Sequence, residues 1–391
     1  MGNSEIINER VGAIAPSATL AIASRAKVMK AEGKEVFSFA AGEPDFDTPE
    51  HIKAAAVRAL EAGETKYAPA PGLPALRGAI AQKLKKDNGL DYEPDQIVVS
   101  NGGKHSLFNI FMALCREGEE VIIPAPFWLS YPNMINIAGG VPVSVSCSED
   151  NGFKMTPGEL EAAITDKTKA VLINSPSNPV GVVYEEEELR ALAEMAVGKG
   201  LYIVSDEMYE KIRYDGATHT SVGSLSPEIF EKTITANGFS KTYAMTGWRL
   251  GYFAAPLEIA NAVSAFQSHS TSGANTFAQF GALAALEGGD DCVKEMVAAF
   301  AKRRSVLYDG LVGIEGITCV KPMGAFYMLP NISSFGLGSV AFAQRLLEEE
   351  SVGVVPGAPF GADANVRLSY ACSMDNIRGG LERIARFVSR L

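Results

Sequence analysis

The stretch that decides the fold reads Asn237-Gly238-Phe239-Ser240-Lys241 and continues to Met245-Thr246-Gly247-Trp248-Arg249. It follows an alternating run at 233–236 that is typical of a strand, and an apolar run at 250–253 comes after it. A lysine at the end of a strand can be buried and still face a cleft, and burial lowers its pKa because the charged form loses its hydration. A neutral amine attacks aldehydes, and an arginine grips phosphate through its planar fork. Lys241 and Arg249 together therefore suggest pyridoxal phosphate (PLP), although a solvated loop lysine and a surface arginine are the ordinary alternatives.

Length and composition bound the class of protein. A chain of 391 residues is long enough for about two or three domains. Its 47% hydrophobic and 21% charged residues are typical of a globular protein. With 46 acidic residues against 35 Lys and Arg, the net charge is -11, which argues against nucleic acid as a partner.

The sequence also indicates where the protein works. No apolar run approaches the roughly 20 residues that cross a bilayer, and the N-terminus lacks the basic and apolar regions of a signal peptide. The four histidines lack the spacing of a zinc site. The five cysteines are scattered, with no CxxC pair: Cys115, Cys147, Cys292, Cys319 and Cys372. We therefore expect reduced thiols in a cytoplasmic protein that has no metal and no membrane partner.

Short apolar runs alternate with helical patterns over much of the chain. The seven strand candidates are 96–100, 120–123, 141–145, 170–173, 202–205, 233–236 and 251–254. This alternation predicts an α/β fold with a mostly parallel seven-stranded sheet and helices on both faces. In such sheets ligands bind outside the carboxyl ends of the strands.

The rest of the chain predicts a second, smaller unit. After residue 285 the pattern changes to a long helix, short strands and a final helix. We therefore assign residues 45–285 to a large domain, and residues 1–44 with 286–391 to a smaller α+β domain. Between them, Thr48 is expected to cap the helix that begins near Pro49.

Polar groups follow several of the predicted strands. The run Ser100-Asn101-Gly102-Gly103-Lys104 follows a strand and opens a helix, where glycines and free N–H groups can receive a phosphate. Asp206 follows the strand at 202–205, where it can pair with the pyridine nitrogen of PLP or cap a helix.

Three further residues fit the ring of PLP. Tyr209 and Asn178 can reach its phenolic oxygen, and Trp128 can stack on its face. The alternatives are an Asn-Pro turn for Asn178 and ordinary core packing for Trp128. A nicotinamide dehydrogenase would need GxGxxG after an early strand, which the sequence lacks.

In this order along the chain, these residues resemble those of a known family, the fold-type I PLP enzymes. The chain is most similar to the class I aminotransferases, in the bacterial branch of aspartate aminotransferases. The resemblance covers residues 16–370, and its most specific segments are 41–49, 66–69, 174–181, 204–210 and 241–251.

The resemblance implies roles for the cofactor-binding residues. Lys241 would hold PLP through a Schiff base and act as general base, and Asp206 would pair with the ring nitrogen. Asn178 and Tyr209 would bind the ring oxygen beneath the stacked Trp128. The phosphate would be held by Arg249, Ser240, Gly102, Gly103 and Lys104, and by Tyr67 of the partner subunit. The working unit would then be a homodimer with the active site at the interface.

The resemblance also implies a substrate site. Arg367 would bind the α-carboxylate beside Gly42, Asn178 and Trp128, and Lys104 with Ser17 would bind a distal carboxylate. This favours aspartate with 2-oxoglutarate. The alternatives are prephenate, because relatives active on it have a lysine and a threonine like Lys104 and Thr19, a broad or aromatic aminotransferase, and a PLP-dependent lyase.

Two positions depart from the family pattern. Gly238 stands where the family often has a serine that touches the phosphate, and His105 stands where close relatives often have glutamine. The first departure would remove one hydrogen bond to the cofactor, and the second bears on substrate choice.

Overall fold

The computed structural model describes residues 6–14 and 18–391. Its α-helices are α1 Glu9–Gly12, α2 Ala18–Ala31, α3 Glu50–Glu61, α4 Pro74–Asn88, α5 Gly103–Leu114, α6 Tyr131–Ile137, α7 Pro157–Ala163, α8 Glu186–Gly198, α9 Pro227–Phe230, α10 Leu257–Ser270, α11 Thr276–Glu287, α12 Asp291–Val312, α13 Ser339–Glu350 and α14 Met374–Val388. Its strands are β1 Phe37–Ser38, β2 Ile97–Ser100, β3 Glu120–Ala125, β4 Val141–Ser146, β5 Thr168–Asn174, β6 Tyr202–Asp206, β7 Thr233–Gly238, β8 Gly251–Ala254, β9 Tyr327–Met328, β10 Val352–Gly353, β11 Val355–Pro356 and β12 Val366–Ser369.

The central sheet has seven strands in the order β2-β8-β7-β6-β5-β3-β4. Every contact from β7 to β4 is parallel, while β8 runs antiparallel to both of its neighbours. All seven strands lie where the sequence predicted them, so the mostly parallel sheet is confirmed. The single reversed strand explains why the sheet is mixed, because β8 follows β7 after a short connection of 12 residues, 239–250.

Helices cover both faces of this sheet, as the strand composition demands. Successive residues of a strand point to opposite faces. In β2, Val98 packs into a cluster with α5, α6 and α10, whereas Ile97 and Val99 pack into another with α3, α4 and α11. A strand that is buried on both faces needs a continuous apolar run rather than an alternating one, and all of β2 and β7 is buried.

The remaining strands form two small sheets, and the predicted α+β unit is confirmed. β1 pairs in parallel with β10, and β12 pairs antiparallel with β9 and β11. Helices α12, α13 and α14 pack with these strands around Phe300, Phe342 and Phe387. Tyr209 belongs to the same cluster, so the core of this unit reaches residues that follow β6.

No helix in the described part of the chain is long and apolar enough to cross a membrane.

Three strands meet closely at Gly251, at the carboxyl edge of the sheet. Gly251 is opposite Gly238 of β7 on one side and Ser100 of β2 on the other. A Cβ atom on Gly251 would lie 2.2 Å from the main-chain nitrogen of Gly103. The absence of a side chain therefore lets the turn after β2 pack onto β8.

We expect Gly251→Ala to destabilise the protein by roughly 1–3 kcal/mol, because the turn has to shift to admit the methyl group. The measurement is urea unfolding of the purified protein. Gly78→Ala is the matched control, since a Cβ at Gly78, inside α4, meets nothing within 4 Å. This control should gain about 0.5–1 kcal/mol from helix propensity. Equal stability of Gly251→Ala and wild type would contradict the close approach.

Candidate active site

A cavity of about 1190 Å³ lies at the carboxyl edge of the central sheet. The carboxyl ends of β2, β5, β6 and β7 all open onto it, because these strands run in one direction. The predicted site residues that line it are Gly42, Gly103, Lys104, Trp128, Asn178, Asp206, Tyr209, Ser240, Lys241, Arg249 and Arg367. The structure thus brings together residues that lie more than 300 positions apart in the sequence.

Lys241 follows β7 and extends into this cavity. Its amine donates a hydrogen bond of 2.5 Å to the carbonyl oxygen of Gly42. Burial lowers the pKa of Lys241 to about 8, with Glu43 opposing the shift and the charges of Arg367 and Arg249 adding to it. A substantial fraction of the amine is therefore neutral near neutral pH and can act as a nucleophile or a base.

Asp206 is the last residue of β6, and its carboxyl group is buried. Tyr131 donates a hydrogen bond of 2.6 Å to Oδ2, and the main-chain N–H of Met208 donates one of 3.2 Å to Oδ1. Burial raises the pKa of Asp206 to about 6 although both hydrogen bonds act in the opposite direction. The helix-cap alternative does not apply, because a turn and not a helix follows Asp206.

Aromatic and amide groups line the walls between these two residues. Trp128 packs edge-to-face on Tyr131, with ring centroids 5.3 Å apart, and the Lys104 amine lies 5.0 Å from the Trp128 ring centroid. The hydroxyl of Tyr209 lies 3.0 Å from that of Tyr327. The cavity therefore offers a flat slot with hydroxyl groups at its edge.

The turn after β2 forms a cup for an anion. Gly102 caps the N-terminus of α5 with a φ of 90°, and a Cβ there would lie 2.3 Å from Nη2 of Arg249. Arg249 is exposed and has a left-handed backbone conformation with a φ of 52°. A helix N-terminus, a guanidinium and the hydroxyl of nearby Ser240 are the donors that a phosphate group prefers. The residues present therefore fit the phosphate of PLP.

Arg367 of β12 forms the opposite wall. It is buried and donates to Oδ1 of Asn178 at 3.2 Å and to the carbonyl of Ala40 at 3.3 Å. Its guanidinium stacks between the rings of Tyr327, at 4.5 Å, and Phe360, at 5.1 Å. Its Nε has no hydrogen-bond partner among the described residues. A buried cation with a spare donor is suited to a carboxylate.

Comparison with known families identifies this arrangement. The family "Aminotransferase class I and II" matches residues 34–384. The chain belongs to this family.

Named relatives agree over the whole chain. The aspartate aminotransferase of Geobacillus stearothermophilus is 51% identical over 97% of this chain and 98% of its own. The probable aspartate/prephenate aminotransferase of Aquifex aeolicus is 47% identical over 98% of each chain. Among solved structures, the aspartate aminotransferase of Thermus thermophilus with maleate superposes with a TM-score of 0.94, at 46% identity over 98% of this chain and 100% of that one.

Three predicted site residues of this aminotransferase lie outside the cavity lining. Gly102 lies immediately before the lining residue Gly103. Tyr67 is 93% exposed on a loop, so its predicted contact with the phosphate of a partner subunit stays a prediction. Ser17 falls outside the described residues.

The two departures from the family pattern have local explanations. A Cβ on Gly238 would lie 3.0 Å from both Cα of Gly251 and Cε of Met208, so serine there would require these neighbours to shift. His105 accepts a hydrogen bond of 3.2 Å from the Asn101 N–H through Nδ1, and burial lowers its pKa. His105 thus supports the glycine turn as a neutral ring.

One sequence prediction about this region is wrong. Thr48 does not cap α3: the capping position is Pro49, without a side-chain hydrogen bond. The Thr48 hydroxyl instead donates to the carbonyl of Ala244 at 2.7 Å and accepts from Nε1 of Trp248 at 2.9 Å. Its hydrogen bonds therefore fix the connection that carries Lys241 and Arg249.

Sequence reasoning missed several residues of the site. Tyr131 binds Asp206 and Tyr327 stacks on Arg367, but both are tyrosines in apolar segments and look like core residues. Glu43 accepts a hydrogen bond of 2.7 Å from Thr246 and lies at the cavity mouth. The only signal for Tyr131 was its position three residues after Trp128.

Behind the site, Glu207 and Glu210 are buried in a polar network. Its other members are Lys83, Asn88, Ser205, His219 and Ser221. Although burial acts against it, the charge of Lys83 helps to lower the pKa of Glu210 to about 2. The network holds the turn that carries Asp206 and Tyr209, because these two residues alternate with Glu207 and Glu210. Ligand atoms of Glu207, Glu210 and His219 lie within 4.8 Å of one another, a proximity that histidine spacing cannot indicate.

We expect Asp206→Asn to stabilise the cofactor-free protein at pH 8. The Asp206 pKa rises from 3.8 to about 6 on folding, so ionisation destabilises the fold increasingly as the pH rises from about 4 to 6, and by a constant amount above that. The gain should be roughly 2–3 kcal/mol at pH 8 and should shrink as the pH falls below 6.

Urea unfolding at pH 8 and pH 5 measures this gain. Tyr131→Phe is the companion variant: it removes a hydrogen bond to the ionised carboxylate and should lower stability at pH 8. An Asp206→Asn protein that is less stable than wild type at pH 8 would refute the raised pKa.

Proposed function

We propose that this aminotransferase uses PLP to exchange an amino group between aspartate and 2-oxoglutarate in two half-reactions. The observation that carries the proposal is one cavity that holds an amine with a pKa near 8 on Lys241, a buried acid on Asp206 and a buried guanidinium on Arg367. Bound PLP supplies an aldehyde for amines and a pyridine ring that accepts the electron pair released at the substrate Cα.

The residues that would hold PLP surround the cavity. Lys241 would bond its aldehyde carbon, and Asp206 its ring nitrogen. The residues proposed for the ring oxygen, the ring face and the phosphate are, respectively, Asn178 and Tyr209; Trp128; and Arg249, Ser240, Gly102, Gly103 and Lys104, with Tyr67 of a partner subunit.

Arg367 orients the substrate. Its guanidinium binds the α-carboxylate as a fork, with Asn178 and Gly42 beside it. The stack between Tyr327 and Phe360 keeps the guanidinium plane fixed, so the Cα–H bond of the substrate is presented in one orientation.

Lys241 then moves the proton. Once a substrate amine has replaced it, the free amine takes the proton from Cα and returns it on the far side of the new C–N bond. A pKa near 8 suits both tasks, because the group is neither locked in the charged form nor too weak a base. Asp206 keeps the ring nitrogen protonated and so stabilises the negative charge that develops at Cα.

The distal carboxylate of aspartate requires a cation at the cavity mouth, and Lys104 supplies it. Partial burial and the charge of Arg249 lower the pKa of Lys104, and its amine rests over the Trp128 ring. Ser17 is the second proposed ligand. The dicarboxylate maleate in the Thermus thermophilus structure supports this choice of substrate class.

Prephenate is the second candidate substrate. It also carries a carboxylate on its side chain, and a relative named as a probable aspartate/prephenate aminotransferase is 47% identical to this chain. Lys104 and Thr19 would be its specific contacts.

We further propose a cytoplasmic homodimer with the active site at the subunit interface. The exposure of Tyr67 supports this, since a phenol at the tip of a loop is available to a second subunit, and the five cysteines are free thiols. Within each subunit, residues 45–285 would form the large domain, and residues 1–44 with 286–391 the small one.

Lys241→Ala should abolish turnover, with a loss of at least about 10²–10⁴-fold, because base and nucleophile are removed together. The wild type should show a visible absorption band that borohydride bleaches, and the variant should not. Lys211→Ala is a suitable control, because this lysine pairs with Asp87 and Asp290 and does not line the cavity. Appreciable turnover by Lys241→Ala without added amine would end the proposal.

Lys104→Ala should raise the KM for aspartate by roughly tenfold or more, since a charge-assisted hydrogen bond is lost. A neutral donor such as leucine serves as the internal control, and its KM should change little. Steady-state kinetics with both donors measure the difference. If the KM for aspartate stays unchanged, the assignment of the distal carboxylate to Lys104 fails.

A further inference from the structure

Gln267 of α10 is a fully buried amide that binds three separate segments. Its Nε2 donates to the carbonyl of Ala70 at 2.6 Å and to that of Val99 at 2.8 Å. Its Oε1 accepts from Nδ2 of Asn109 at 3.2 Å. The orientation of the amide is fixed, because a flipped group would place its oxygen against two carbonyl oxygens.

The bond to Val99 completes an open sheet edge. Strand β2 lies at the end of the central sheet and pairs with β8 alone. On its free side, the Val99 N–H donates to the carbonyl of Pro71 at 2.9 Å, and the Val99 carbonyl receives Gln267. Gly72 lies so close that a Cβ there would be 2.8 Å from Cβ of Val99. The loop before α4 and the Gln267 amide thus take the place of a neighbouring strand.

The bond to Ala70 fixes the loop that carries Tyr67. This loop, residues 66–73, is held by side chains of two helices. The hydrogen bonds are Thr276 Oγ1 to the Lys66 carbonyl at 2.6 Å, Gln267 to the Ala70 carbonyl, and the Leu73 N–H to Oε1 of Gln279 at 2.8 Å. Because Tyr67 is 93% exposed, the backbone of this loop decides where its phenol lies.

The other two bonds of Gln267 reach the anion cup. Val99 is followed by Ser100 and the turn at Gly102, and Asn109 lies on α5, whose N-terminus begins at Gly103. The three partners of Gln267 are therefore the Tyr67 loop, the strand before the cup and the helix after it.

We propose that Gln267 is a positioning residue for the phosphate of PLP. It sets the spacing between the cup of its own subunit and the Tyr67 loop, which serves the cup of the partner subunit. Both active sites of a dimer would then depend on one buried amide in each chain. The proposal rests on the proposed function, since it needs PLP in the cavity and Tyr67 acting in the partner.

Cofactor binding by the full-length apoprotein tests the role. Gln267→Met keeps the length of the side chain and removes all three hydrogen bonds. Pyridoxal, which has the same ring and aldehyde but no phosphate, is the comparison ligand. We expect the Kd for PLP to rise roughly tenfold or more, because charge-assisted bonds to the phosphate lose their alignment, and the Kd for pyridoxal to change less than about twofold.

Gln279→Met is the matched control. Gln279 is an equally buried glutamine, on the neighbouring helix α11, and it binds the main chain of Leu73 and Ala274 but not β2. Both variants should melt at a lower temperature, but only Gln267→Met should lose the preference for PLP over pyridoxal. An equal loss of preference in Gln279→Met would show general loosening of the loop and overturn the assignment.

A double-mutant comparison with Tyr67→Phe tests the link to the partner subunit. Tyr67→Phe should weaken PLP binding in the wild-type background and have a smaller effect in Gln267→Met, whereas fully additive effects would contradict the link. If Gln267→Met fails to fold, Gln267→Asn, which is one methylene shorter, is measured in the same way.

The two proposals fail differently. A wild-type protein without a preference for PLP over pyridoxal would refute the phosphate site itself. A wild type with a strong preference that Gln267→Met or Gln267→Asn retains would refute the role of Gln267 alone.

Discussion

The removal of water from one amine and one carboxylic acid, at the same edge of a sheet, is the constraint on which this structure depends. Burial moves the two pKa values in opposite directions, that of Lys241 down to about 8 and that of Asp206 up to about 6. Both shifts disfavour the charged form, so the fold sacrifices stability to maintain the groups in this state. The apolar core on both faces of the central sheet supplies the free energy that offsets this cost.

The direction of the strands explains why the two groups share a cavity. Asp206 ends β6 and Lys241 follows β7, and these neighbouring strands are parallel, so their carboxyl ends lie side by side. The reversed strand β8 then returns the chain between β7 and β2, with Gly251 in contact with the turn after β2. Arg249, just before β8, is thereby brought to the anion cup formed by Gly102.

The fourth wall comes from the smaller sheets, and hydrogen bonds join it to the central sheet. The Gly42 carbonyl accepts from Lys241, Glu43 accepts from Thr246, and Arg367 donates to Asn178. Each bond links a segment close to the small sheets with a loop at the carboxyl edge. A group bound between these walls would therefore contact both parts of the chain, as two-sided enclosure of a substrate requires.

The sequence by itself determined the sheet, its seven strands and most of the cofactor site. Apolar runs of four to seven residues can only be buried strands when helical patterns separate them, and ligands of such sheets lie at the carboxyl ends. Lys241, Asp206 and the glycine turn were visible for that reason. The family resemblance added Tyr67, Ser17 and Arg367, whose roles stay predictions.

Only the tertiary structure decided what surrounds these groups. Tyr131, Tyr327 and Gln267 make polar contacts with residues 39 to 197 positions away, and no local pattern distinguishes them from ordinary core residues. The same holds for Thr48, where the local capping rule failed because the connection after β7 offered its hydroxyl better partners. Periodicity reports which face of an element is buried, whereas the partner of a buried polar group depends on which segments the fold brings together.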